Sequence, residues 1–86
     1  MELEQLRIFV AVAERGSFSA AAKDLFVSQS TTSRAVSALE NEFGTALFNR
    51  GNRILGLTEA GESLLRDARE LLENAAQLRN NLKTFH

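Results

Sequence analysis

Between residues 61 and 85 small or apolar side chains return in alternating steps of three and four: Gly61, Leu64, Ala68, Leu71, Ala75, Leu78, Leu82 and Phe85. Leu65 and Leu72 widen the stripe. A repeat of this kind is satisfied by a long helix with one apolar seam, and Thr58 stands where such a helix needs its N-cap. The 86-residue chain is short, and a domain of this size buries only about 60–65% of its unfolded surface. The seam is therefore expected to meet a partner helix, most simply the same helix of a second subunit, through Leu64, Ala68, Leu71, Ala75, Leu78 and Leu82. Packing on its own domain is the plainer alternative.

The residues before the seam read as three helices and a small ribbon. Leu6, Phe9, Val10 and Ala13 recur at helical spacing, and Gly16 closes the segment. Ser19 is a candidate N-cap for a short helix over Ala20 to Leu25, whose consecutive alanines predict close packing by another helix. After the tight Phe26-Val27 connection, Ser28 caps a third helix from Gln29 to about Phe43. Its buried stripe is expected to hold Val36, Leu39 and Phe43, and Gly44 ends it. Two helices joined by so short a turn form a helix-turn-helix pattern. Leu47-Phe48 and Ile54-Leu55 then flank Asn49 to Arg53, where Gly51-Asn52 could supply the positive φ values of a tight hairpin. The six phenylalanines are spaced as core residues. The sequence thus predicts a mainly α domain over residues 1–57, a helix-turn-helix followed by a two-stranded ribbon, and a long dimerisation helix over 58–86.

Composition excludes more than it assigns. With no Cys, disulfides and thiolate metal sites are ruled out. The only His is His86, and no paired-carboxylate cluster, metal-ligand spacing or phosphate-cradling glycine loop appears. Catalysis, cofactors and metals are not expected. No run approaches membrane-spanning length and no signal-peptide layout opens the chain, so a cytoplasmic location is expected. The net charge of −1 is not that of a generic DNA binder. Its distribution matters more: residues 15–57 carry Arg15, Lys23, Arg34, Arg50 and Arg53 against Asp24, Glu40 and Glu42, while the acidic excess sits at the two ends.

Winding the third helix at about 100° per residue separates its faces. Val36, Leu39, Phe43 and Thr32 share one sector, with Thr32 at the edge of the core. Ser30, Ser33, Arg34 and Ser37 fall on another, beside Ser28 and Gln29 at the helix start. Small hydroxyls allow close approach to a groove, the helix N-terminus favours phosphate, and Gln29 has the amide chemistry to read an adenine edge. Arg50 and Arg53 on the shoulders of the ribbon suit backbone contact or minor-groove insertion. Arg15 and Lys23 are further candidates for phosphate contact. A solvated polar face and a solvated turn have the same composition, so these residues alone leave both readings open. A purely protein-binding helical module is the competing function. The absence of Tyr and Trp argues against a base-stacking single-strand binder.

The residues also carry a resemblance. Leu6 to Ala13, Gly16-Ser17-Phe18-Ser19-Ala20-Ala21-Ala22, Leu25, Val27-Ser28-Gln29, Ser33-Arg34, Leu39-Glu40, Gly44, Leu47-Phe48-Asn49-Arg50 and Leu57 to Gly61 together resemble the N-terminal domain of LysR-type transcriptional regulators. That resemblance implies a mainly α, winged helix-turn-helix domain over residues 1–57 and a linker helix over 58–86, with double-stranded operator DNA as the partner, a homodimer through the long linker helices and a homotetrameric full-length protein. It also implies Gln29, Ser33 and Arg34 at the major groove, with Arg53 on a wing near the minor groove. The family often has Pro after the Gln that opens the recognition helix, where Ser30 stands here, and apolar residues where Thr31-Thr32 follow. By that resemblance a small-molecule effector would bind only a C-terminal domain of two α/β lobes, and the 86 residues are expected to be a fragment of such a protein.

Overall fold

The computed structural model describes residues 1–51 and 55–85. Four helices and a two-stranded ribbon follow in the order α1 (Leu3–Arg15), α2 (Phe18–Leu25), α3 (Gln29–Phe43), β1 (Phe48–Asn49), β2 (Gly56–Leu57) and α4 (Glu59–Lys83). Among the described residues, no helix is long and apolar enough to cross a membrane.

Local caps fix most of the boundaries. Gly16 and Gly44 adopt left-handed backbone after α1 and α3, at φ 63° and 65°, where a Cβ would be strained. The Ser28 hydroxyl accepts from the Thr31 N–H at 3.1 Å, and the Thr58 hydroxyl accepts from the Gly61 N–H at 3.0 Å. The second helix departs from expectation. It starts at Phe18, and the cap is Ser17, whose hydroxyl accepts from the Ala20 N–H at 3.1 Å. Both serines suit a cap. Starting at Phe18 lets that ring pack edge-on against Phe48, with centroids 5.8 Å apart.

The core gathers Leu6, Ile8, Phe9 and Val12 of α1, Ala21 of α2, Ala35, Val36 and Leu39 of α3, and Leu47, Phe48 and Ala68. Ile8 and Val12, rather than Val10 and Ala13, complete the buried side of α1. Ala21 and Ala22 are buried, so the helix made of alanines is closely packed, as expected. Thr32 is wholly enclosed rather than at an edge. Its hydroxyl donates to the Gln29 carbonyl at 2.6 Å, which satisfies the polar atom in an apolar site.

The phenylalanines do not all belong to this core. Phe9 and Phe48 do, but Phe26, Phe43 and Phe85 are exposed. Phe43 lies at the last turn of α3, where the helix passes the edge of the core. It lines a shallow groove with Leu47, Ala60 and Leu64. Phe26 is the C-cap of α2, at φ 57°, and is 95% exposed. Left-handed backbone costs a residue with a Cβ about 1–2 kcal/mol, less for Asn, and the exposed ring recovers none of it by burial. Phe26→Asn should therefore stabilise the chain by about 1 kcal/mol. Urea midpoints would show this as a shift to higher concentration, and a loss of stability would mean that the ring packs against the fold.

The ribbon is antiparallel, with Phe48 opposite Leu57 and Asn49 opposite Gly56. The second strand begins one residue after the expected Leu55, and Gly51 does not take a positive φ, while Asn52 and Ile54 lie outside the described residues. The register is set from the other end. The Thr58 N–H donates to the Leu47 carbonyl at 3.0 Å, and the Thr58 hydroxyl donates to the Ala46 carbonyl at 2.7 Å. With pairing fixed there, β1 ends at Asn49 and β2 begins at Gly56.

The first half of α4 packs on α1. Gly61 and Ala68 are buried, with Leu64, Leu65 and Leu72 partly so, and Arg69 donates to the Glu14 carboxylate at 2.9 Å. Ala68, counted in the seam, is 1% exposed inside its own domain, so it is core rather than free surface. The heptad pattern could not distinguish these roles, because both need small or apolar residues at the same spacing.

Candidate nucleic-acid interface

The winding of α3 divides its side chains as its sequence requires. Thr32, Ala35, Val36 and Leu39 are buried against α1 and α2, while Gln29, Ser30, Ser33, Arg34 and Ser37 are exposed with the capping Ser28. This outward face is built of short polar groups around two long ones, Gln29 and Arg34. Among the described residues Arg34 pairs with no acid. The hydroxyls at the helix start are partly committed to one another. The Ser28 oxygen lies 2.8 Å from that of Thr31 and 3.1 Å from that of Ser30. Ser28 thus shapes the first turn, leaving Gln29 to project from it.

The other predicted cations are less free. Arg15 pairs with Asp24 across the α1–α2 junction. Arg50 donates to Glu40 at 3.2 Å and lies over the Phe18 ring, 5.6 Å from its centroid. The second oxygen of Glu40 accepts from the Leu47 N–H at 2.8 Å. Glu40 is therefore the tie between α3 and the ribbon, a positioning role the sequence reading did not assign. Its traces in the sequence are that Glu40 directly follows Leu39 of the buried stripe and that Leu39-Glu40 belongs to the resemblance. The Arg50 side chain is 48% exposed but Glu40 only 14%, so Arg50 is partly committed to the fold rather than a free cation. Arg53 lies outside the described residues.

On α4 the seam residues separate into two sets. Leu64 and Ala75 are partly buried, whereas Leu71, Leu78 and Leu82 are exposed, as is Phe85 beyond them. A row of large exposed apolar side chains on one helix face is not the usual surface of a lone small domain.

A tri-helical core with a tight α2–α3 turn, a ribbon after α3 and a long terminal helix defines a winged helix-turn-helix module. The sequence model of the bacterial regulatory helix-turn-helix proteins of the lysR family matches residues 3–62, and the chain belongs to that family. It is 48% identical over 77 residues to the HTH-type transcriptional regulator TcbR of Pseudomonas sp. (strain P51), a match that covers 90% of this chain and 26% of TcbR. The chain spans about a quarter of the length of such relatives. Among solved structures, the BenM DBD/catB site 1 DNA complex superposes with a TM-score of 0.94 at 40% identity, covering 98% of this chain and 93% of that one. The CbnR DBD–DNA complex gives 0.91 at 44% identity, covering 98% and 97%.

Proposed function

We infer that the chain reads operator DNA as the N-terminal unit of a LysR-type transcriptional regulator. Residues 1–57 are the reading domain and residues 58–86 the helix that pairs two copies. The observation that carries this reading is the outward face of α3, where Gln29, Ser33 and Arg34 stand exposed on a helix whose opposite side is core. The superposition on two DNA-bound domains over nearly the whole chain supports the same assignment. In this reading α3 enters the major groove with Gln29 toward a base edge. Ser28, Ser30, Ser33, Arg34 and Ser37 line the approach, and Arg50 and Arg53 lie toward the backbone or minor groove. The role is binding without catalysis, and a cytoplasmic location follows from it.

The second copy is assigned to the exposed half of the seam, continuous through Leu64 with the groove beside Phe43. Two-fold pairing of this kind predicts a pseudo-palindromic operator with half-sites about one helical turn, or a multiple of it, apart. A homotetrameric full-length protein, with any effector bound to a further domain, is the corresponding proposal for the whole regulator.

The test separates reading from positioning. Gln29→Ala should cost about 1–3 kcal/mol on the preferred duplex and relax discrimination at one symmetric pair of positions. Ser33→Ala should weaken all duplexes alike. Competition against duplexes substituted at every position measures both. A uniform loss for Gln29→Ala, with the base profile intact, would remove Gln29 from base reading.

A further inference from the structure

Phe26 pays for a left-handed backbone without any return from packing. Its φ is 57°, it is the described residue other than glycine with positive φ, and its ring is 95% exposed. The cap itself needs only the backbone, whose N–H donates to the carbonyls of Ala22 and Lys23. Glycine or asparagine would make the same cap at lower cost. Local strain that the fold does not use points toward function.

The location narrows what that function is. Phe26 is two residues before Ser28, the N-cap of α3, and two residues of chain span at most about 7 Å. Phe26 therefore stands at the corner where α3 begins, two residues from its cap, and Gln29 and Ser30 of the first turn of that helix are exposed as well. The helix seam does not offer a cover for it, because α4 packs chiefly on α1 while the Phe26 turn joins α2 to α3. What would cover this corner is whatever meets the first turn of α3. In a duplex major groove, the apolar feature offered to an aromatic ring is the C5-methyl group of thymine.

We propose that Phe26 is a specificity-determining residue that packs on the methyl group of a thymine flanking the bases met by the start of α3. The proposal rests on the DNA-reading role assigned above and adds to it a contact from outside the recognition helix. Phe26 keeps its costly conformation because the ring is placed by the turn rather than by the helix. It extends the read sequence by one step at the helix N-terminus.

Replacing thymine by deoxyuridine removes the methyl group and nothing else. The probe is a duplex that the chain selects from a random-sequence pool, with each thymine exchanged in turn, measured with wild type, Phe26→Asn and Phe26→Gly. Thermal melting of each variant confirms that it is folded. Wild type should lose about fourfold in affinity at one thymine per half-site, the value of one buried methyl group. Both variants should bind the thymine duplex about fourfold more weakly or worse, and should not distinguish thymine from uracil at that position. A variant too weak to follow at ordinary ionic strength is measured at low salt, where phosphate contacts hold the complex. Wild type indifferent to every uracil, or variants that retain its methyl preference, would overturn the proposal and leave Phe26 to a protein partner. A chain that selects no sequence from the pool would strike the DNA-reading role itself.

Discussion

Gly61→Ala will cost the chain about 3 kcal/mol or more and lower its melting temperature by over 10 °C. The expectation rests on where a Cβ at this position would go. It would lie 2.1 Å from the Leu47 carbonyl oxygen and 2.9 Å from Cδ2 of Leu57. The leucine side chain could give way, but the carbonyl belongs to the backbone that accepts from the Thr58 N–H. Relief therefore requires α4 to lift from the ribbon, which strains the Thr58 cap and its bond to Ala46 as well. Alanine is the better helix former by about 1 kcal/mol, and in an open helix the substitution would stabilise. Here the steric term is larger, because no rotamer of a methyl group avoids a backbone oxygen. Thermal unfolding of wild type and variant at matched concentration checks the result. Equal melting temperatures would mean that α4 does not approach Leu47 as closely as described.

Gly61 also illustrates which parts of this fold can be read locally. The caps at Ser28, Thr58, Gly16 and Gly44 were legible because a cap is a contract between residues three or four apart. The two faces of α3 were legible because helical winding needs no knowledge of the rest of the chain. What escaped the sequence depends on partners far along it. Ser17 and Ser19 are equal as caps until Phe18 must meet Phe48. The strand register follows from Thr58 bonding back to Leu47 and Ala46, which the Gly51-Asn52 pair carries no sign of. Phe26 and Phe43 have the composition of core residues, but a left-handed turn turns one outward and the end of α3 carries the other past the core edge.

The candidate site divides along the same line. Gln29, Ser33 and Arg34 could be placed on the outward face from periodicity alone, and all three are exposed on α3. The engagement of Arg50 with Glu40 and Phe18 could not, because it needs the ribbon folded against α3. Nor could the heptad pattern show that the seam changes owner along its length. Its first half packs on α1, and its second half leaves Leu78 and Leu82 exposed on the single subunit.

Leu78→Glu is expected to separate those two halves. Leu78 is 62% exposed in the single subunit, so the change removes little intramolecular packing, and Leu and Glu are close in helix propensity. Against an apolar partner helix the carboxylate would instead be buried without a counter-charge, at a cost of roughly several kcal/mol. Sedimentation should show a monomer at concentrations where wild type is a dimer. Helical content should be retained apart from fraying at the end of α4. Loss of the second half-site contact should weaken binding to a duplex with two half-sites by about a hundredfold or more. Binding to a single half-site should change little. The same substitution at Leu71 would be harder to interpret, because Leu71 is only 41% exposed and lies nearer the part of α4 that packs on α1. A Leu78→Glu chain that still sediments as a dimer and holds both half-sites as tightly as wild type would place the pairing surface elsewhere on the domain.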